Sequence, residues 1–135
     1  MLNDIFKDLD FIAKIPKEAK PNFSDKTFTL SNEWFPTLKR RWKHEQGEKG
    51  VLFVNNLIAD IEKIYKTCDI DSQKKIREKL TFSIPGLDNI VETYSNDNQT
   101  EVAKNYSLII EKIKNMNEKY TKLKKQFFTY QPSIL

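Results

Sequence analysis

Few residues in this 135-residue chain could carry covalent or acid–base chemistry. His44 is the only imidazole and Cys68 the only thiol, and they fall on different predicted elements. A nucleophilic thiol needs a base within hydrogen-bond reach and a third group that orients the base, and no spacing indicates either. One histidine and one cysteine also fall short of the ligand set of a structural zinc site. We therefore expect a protein that is not an enzyme, with no catalytic residue, metal or cofactor.

The strongest candidate for a functional site is the run of basic residues around the aromatic ring of Trp42. Its cations could contact phosphates while the indole of Trp42 stacks on a base. Lysines near the carboxyl end could extend this surface. The predicted nucleic-acid surface consists of Lys39, Arg40, Arg41, Trp42, Lys43, Lys122 and Lys125.

A structural interpretation of the same run competes with that function. In that interpretation Trp42 belongs to the buried face of a helix, and the cations lie on the solvated face behind it. Glu45 and Glu48 follow at once and would repel a phosphate backbone. The net charge of +4 is modest for a nucleic-acid binder, which usually concentrates its charge. The structural interpretation is favoured.

Length and composition indicate one helical domain spanning residues 1–135. Three glycines and five prolines are too few for the turns of a sandwich or barrel. A single cysteine excludes an internal disulfide and suits a reducing compartment. Neither a signal peptide nor an apolar run of about 20 residues is visible. We expect an intracellular protein, cytoplasmic or part of a virion, that is neither secreted nor membrane-spanning.

The strongest structural signal is an apolar seam in the last third of the chain. Its members are spaced alternately four and three residues apart, which predicts one long helix with a single apolar stripe. Leu108 and Ile110 widen the stripe, which favours packing inside a bundle over a two-chain zipper, although a dimer seam remains the alternative. The seam consists of Val102, Tyr106, Ile109, Ile113, Met116, Tyr120, Leu123 and Phe127.

The first third of the chain predicts a helix and then an arm. Apolar residues at helical spacing extend from Leu2 to Ala13, with Asn3 or Asp4 as the cap, and Pro16 ends the helix. Residues 16–30 are predicted to form an arm, with a short extended piece from Thr27 to Leu30, where polar and apolar residues alternate. The aromatic and apolar residues expected to anchor this arm are Phe23, Phe28 and Leu30.

The middle of the chain predicts several shorter helices separated by breakers. A second helix begins at Ser31 and breaks at Gly47 and Gly50, and a third covers residues 51–67. A fourth, capped by Asp71 or Ser72, carries Phe82 on its apolar face and is interrupted at Pro85 and Gly86, before a short piece over residues 87–94. Asp97 or Asn98, the latter in a capping box with Glu101, caps the last helix. The fold class is therefore all-α, an irregular bundle of four to six helices with a long C-terminal helix and an extended aromatic arm near residues 16–30.

Helix lengths indicate that one end of the seam lacks cover. The seam extends for about 39 Å, whereas the predicted third helix reaches only about 26 Å. The first helix, the arm or a partner chain must cover the remainder. The predicted partner-binding residues at this end are Leu123, Phe127, Phe128, Tyr130 and Leu135.

One stretch resembles a known group of proteins. It comprises Leu38-Lys39-Arg40-Arg41-Trp42, then Glu45, Glu48-Lys49 and Val51 through Val54-Asn55-Asn56-Leu57-Ile58. This run is similar to a pattern in small uncharacterised proteins of nucleocytoplasmic large DNA viruses. The resemblance implies a viral protein that acts through contacts with virion or host proteins and has no catalytic residues.

Together these patterns favour a non-enzymatic protein-interaction or structural protein, and the resemblance implies a viral one. Protein partners or self-association are expected, and no small-molecule substrate is. The alternative is a nucleic-acid-associated protein that uses the basic surface. Ionic strength separates the two, because phosphate contacts weaken steeply with salt and apolar docking does not.

Overall fold

The computed structural model describes residues 1–30 and 40–130, and the side chains within 1–28 and 45–122. In this part of the chain four helices and one β-hairpin confirm the predicted all-α bundle. The predicted start of a helix at Ser31 lies outside the described residues. The elements are α1 (Leu2–Ala13), β1 (Ala19–Asn22), β2 (Thr27–Leu30), α2 (Arg40–Tyr65), α3 (Ile70–Asn96) and α4 (Thr100–Tyr130).

Helix α4 forms as predicted, and its seam is the centre of the core. The six seam residues from Val102 to Tyr120 are each at most 7% exposed. Ile110 is buried as well, but Leu108 is 60% exposed, so its predicted place in the stripe is wrong. The reason is geometric, since α2 and α3 cover one side of α4 and Leu108 points away from both.

Helix α2 passes without a break through Gly47 and Gly50, where a break was predicted. Neither glycine has a positive φ, so neither is needed for a turn. A Cβ at Gly47 would overlap Val102, and a Cβ at Gly50 would overlap the Tyr106 hydroxyl and the Phe23 ring. The glycines therefore allow α2 to approach α4 and the hairpin closely, and this packing offsets their low helix propensity.

Helix α3 likewise continues through Pro85 and Gly86, which corrects the predicted interruption. An interior proline removes one backbone hydrogen bond and costs about 3 kcal/mol. Leu80 and Leu87, on either side of it, are both 0% exposed, and Gly86 packs directly on the carbonyl oxygen of Ile12 in α1. Burial on both sides of the proline keeps the two halves in one helix. Phe82 is 66% exposed, so its predicted inward position is also wrong.

The helix caps differ from the predicted ones by one to three residues. Asp69, not Asp71 or Ser72, caps α3, because its carboxylate accepts a hydrogen bond from the Ser72 amide at 3.3 Å. Helix α1 starts after Met1 without a side-chain cap. Helix α4 begins at Thr100, so the predicted capping box of Asn98 with Glu101 is out of register.

The predicted arm is a β-hairpin. Its second strand, Thr27–Leu30, is the predicted extended piece, whereas its pairing with β1 was not predicted. Strands β1 and β2 are antiparallel, with Ala19 opposite Leu30. Asn22 closes the turn by accepting hydrogen bonds from the amides of Ser24 and Asp25, and Lys26 takes a left-handed φ of 54°. Such Asx turns stabilise tight connections locally.

The hairpin is held on the bundle by an aromatic anchor and two ion pairs. Phe23 is 5% exposed, whereas Phe28 is 41% exposed and the Leu30 side chain lies outside the described ones. Lys20, itself 3% exposed, pairs with Asp97 in the turn between α3 and α4. Lys26 pairs with Asp8 of α1 at 2.8 Å, and this pairing raises the pKa of Lys26.

Replacing Gly86 by alanine should destabilise the fold by about 1–3 kcal/mol, because the new methyl group would overlap rigid backbone of α1. The exposed helical substitution Asn55→Ala is the control and should change stability by less than about 0.7 kcal/mol. Urea denaturation measures both values. A neutral or stabilising effect of Gly86→Ala would contradict the close contact between α1 and α3.

Replacing Asp97 by asparagine should lower the free energy of unfolding by about 2–4 kcal/mol, because a buried ammonium group loses its carboxylate partner. The matched control is Glu118→Gln, which removes the exposed pair with Lys122 and should cost less than about 0.5 kcal/mol. Equal effects of the two variants in chemical denaturation would show that the Lys20–Asp97 pair does not hold the hairpin.

Candidate functional site

Helices α2 and α4 lie parallel along the seam in a constant register. Gly47 lies against Val102 and Gly50 against Tyr106. At the far end the ring of Tyr65 stacks on that of Tyr120, with centroids 3.6 Å apart and planes 9° from parallel. Because Tyr65 is the last residue of α2, this stack marks where α2 stops covering α4.

The end of α2 is fixed by hydrogen bonds from the start of α3. The guanidinium of Arg77 donates to the Tyr65 hydroxyl at 2.8 Å, and the Gln73 amide donates to the Tyr65 carbonyl at 2.7 Å. The Cys68 thiol donates to the same carbonyl at 3.4 Å. These bonds hold the phenol ring of Tyr65 in place and reverse the chain over residues 66–69.

Helix α4 continues from this stack to Tyr130. We call residues 121–130 the α4 end. At about 1.5 Å per residue it is about 15 Å long. The hydrogen bond between Asn117 and Thr81 sets the antiparallel register of α3, and places the first turn of α3 beside the α4 end. Ile70 in that turn is 69% exposed. The α4 end therefore has a described neighbour on the α3 side, whereas α2 has already ended.

The prediction that the helix beside α4 is short is wrong, but α4 still extends past the end of α2. Helix α2 has 26 residues, about 39 Å, and is therefore much longer than the predicted third helix. Its extra length lies at its beginning, upstream of Val51. Helix α2 stops covering α4 at the Tyr65–Tyr120 stack because of the register of the two helices, and not because α2 is a short helix.

The predicted partner-binding residues lie mostly on the α4 end. Its helical backbone includes four of them, but their side chains are outside the described ones, and Leu135 is outside the described residues. The structure therefore places these positions on one helix without testing their contacts. The four are Leu123, Phe127, Phe128 and Tyr130.

The predicted nucleic-acid surface is described only in part. Lys39 lies outside the described residues, and the side chains of Lys125 and of residues 40–43 in α2 are outside the described ones. Lys122 is described: its side chain is 70% exposed and pairs with Glu118 at 3.2 Å. The nucleic-acid surface therefore stays a prediction.

A cleft that sequence reasoning missed lies between α1, the hairpin turn and α2. It measures about 570 Å³, and its lining includes Phe23, Phe53, Lys49 and the 62% exposed Leu52. The signal that could have found it is Leu52, an apolar residue on the side of α2 opposite to the buried stripe.

The chemistry of the described side chains is limited. Burial raises the pKa of the Cys68 thiol, which keeps it protonated at neutral pH. The side chain of His44 is outside the described ones, so its separation from Cys68 is untested. Within 1–30 and 40–130, no group of three or more His, Cys, Asp or Glu residues could hold a metal ion.

Comparisons with known protein families, curated proteins and solved structures find no match to this chain. None of the helices in the described ranges is both long enough and apolar enough to cross a membrane.

Alkaline pH should destabilise the fold through the tyrosines of the core. Burial raises the pKa of Tyr120 to about 12 and holds the pKa of Tyr106 well above its ordinary value. An unfolded tyrosine ionises near 10, so between pH 10 and 12 the unfolded chain releases protons that the folded chain keeps. Stability should therefore fall as pH rises through this range.

Denaturation monitored at pH 9, 10 and 11, with phenolate absorbance, measures this loss. Tyr120→Phe should show a shallower loss of stability with pH than the unaltered protein does. An identical slope would contradict the burial of the Tyr120 hydroxyl.

Proposed function

We propose that this protein is a non-enzymatic interaction or structural protein whose α4 end docks on another protein chain. Its setting is intracellular, within a cell or a virion. The docking residues of this proposal are Leu123, Phe127, Phe128, Tyr130 and Leu135.

The observation that carries the proposal is the register of α2 on α4. Upstream of the Tyr65–Tyr120 stack, the seam is covered by α2 and α3 together. Downstream, α4 remains helical to Tyr130 and the sequence continues the same seam with Leu123 and Phe127. Full burial of one such side chain is worth about 1.5–3 kcal/mol. Burial of the Leu123 and Phe127 side chains by a partner chain would therefore contribute substantially to the free energy of binding.

The viral setting rests on the resemblance of residues 38–58 to small viral proteins. The nucleic-acid alternative stays a prediction, because most of its side chains lie outside the described ones. Its signature would be binding that weakens steeply as salt is raised.

The variant Phe127→Asp should abolish docking, because it places a carboxylate in the seam where a partner would cover it. The matched control is Leu108→Asp, on the same helix but 60% exposed and off the seam. Affinity purification from the natural host would show proteins retained by the unaltered chain and by Leu108→Asp but lost by Phe127→Asp. Direct binding of the purified candidate should repeat that difference.

Circular dichroism should show that both variants keep the helical fold. Equal retention by the two variants would contradict docking at the α4 end. Retention that disappears at high salt for all three proteins would favour the nucleic-acid alternative.

A further inference from the structure

We propose that the cleft between α1, the hairpin turn and α2 binds a small molecule that joins an aromatic or other apolar body to one anionic group, as an aryl-alkyl carboxylate does. None of the residues that line the cleft belongs to the α4 end. The inference therefore goes beyond the proposed function and does not depend on it.

The size and the position of the cleft suit a small ligand. Its volume of about 570 Å³ lies within the range of about 300–1,000 Å³ that is typical of small-molecule sites. Asp4 and Asp8 of α1 line one side, the hairpin turn contributes Ser24, and α2 lines the site from Gln46 to Asn56. A ligand in the cleft would therefore contact three different elements of the fold.

The apolar part of the cleft is aromatic and closely packed. The side chain of Phe23 is 5% exposed, and its ring meets the edge of the Phe11 ring, with centroids 5.7 Å apart. The ring of Phe53, which is partly buried, lies 5.0 Å from that of Phe23. Because these contacts already fix the rings, an apolar body can stack on Phe53 without a costly rearrangement.

Leu52 adds apolar surface at the edge of the cleft. It lines the cleft beside Phe53 and is 62% exposed. A single exposed leucine is ordinary on a protein surface. Next to the aromatic rings, however, it lets one ligand body cover both Leu52 and Phe53, and removal of this apolar area from water favours binding.

The charged side chains that line the cleft leave one cation available. Lys26 pairs with Asp8 at 2.8 Å, and Asp4 faces the ammonium group of Met1 at 4.0 Å. Lys49 is exposed and forms no ion pair with any described residue. An anionic group beside Lys49 would gain a charge-assisted hydrogen bond.

The spacing along α2 indicates how far the anionic group lies from the apolar body. Lys49 precedes Leu52 and Phe53 by three and four residues, so their Cβ atoms are about 5–6 Å apart on the helix surface. Gln46 lies one turn before Lys49, and its amide can donate a second hydrogen bond to the same anion. A ring and a carboxylate joined by a short alkyl chain match this arrangement.

The test compares 4-phenylbutyrate with 4-phenylbutylamine, which share a ring and a chain and differ in charge. Binding to the full chain is followed by the shifts of backbone amide signals in NMR spectra. We expect saturable shifts at Ser24 and at residues 46–56. The carboxylate should bind about fivefold more tightly than the amine at low salt, because only the carboxylate pairs with Lys49.

Two substitutions at exposed positions separate the charge from the apolar contact. Lys49→Glu should abolish the preference for the carboxylate, whereas Lys63→Glu, on α2 but outside the cleft, should retain it. Leu52→Asn should weaken both compounds at least about threefold. Leu108→Asn, at a similarly exposed leucine on α4, should weaken neither.

The amide spectrum of each variant also shows whether it keeps the fold, and the milder Lys49→Gln should likewise lose the preference. Equal binding of the two compounds, or tighter binding of the amine, would overturn the inference. A preference that survives Lys49→Glu, and shifts that are absent, unsaturable or outside the cleft, would overturn it as well. Loss of a protein partner by Phe127→Asp bears only on the proposed function, so the two can fail separately.

Discussion

The apolar stripe of α4 has to be removed from water, and the other elements are arranged around that requirement. Six of its side chains, from Val102 to Tyr120, are almost fully buried. At about 1.5–3 kcal/mol each, their burial contributes on the order of 10 kcal/mol, which is comparable to the whole net stability of a small domain. Helix α3 covers the stripe in antiparallel register and α2 in parallel register. Helix α1 and the hairpin pack on that three-helix core.

The helices pack this closely because glycines lie at three of their contact positions. Gly47 and Gly50 let α2 approach α4, and Gly86 lets α3 touch the backbone of α1. At this end of the bundle the hairpin closes the structure, because Phe23 fills the space beside Gly50 and the Lys20–Asp97 pair ties β1 to the turn between α3 and α4. The buried rings of Tyr94 in α3 and Tyr106 in α4 stack at this end, with their centroids 6.1 Å apart.

The opposite end is built differently. The Tyr65–Tyr120 stack terminates the contact between α2 and α4, and α3 supplies hydrogen bonds that hold Tyr65 there. Beyond the stack, α4 continues to Tyr130 while α2 has ended. Among the described residues, the hairpin therefore closes one end of the bundle, and at the other end α4 continues past the end of α2. This difference between the two ends is the physical basis of the proposed interaction.

The helical class, the seam and the end of α1 before Pro16 followed from the sequence, because periodicity and a helix-stopping proline are local properties. The continuity of α2 through Gly47 and of α3 through Pro85 did not follow. Their local cost of about 1–3 kcal/mol predicts breaks, and only the burial of their neighbours outweighs it. The hairpin depends on pairing between strands of four residues, and the α4 end depends on the register at Tyr65. Both are contacts between distant parts of the chain, so only the tertiary structure decided them.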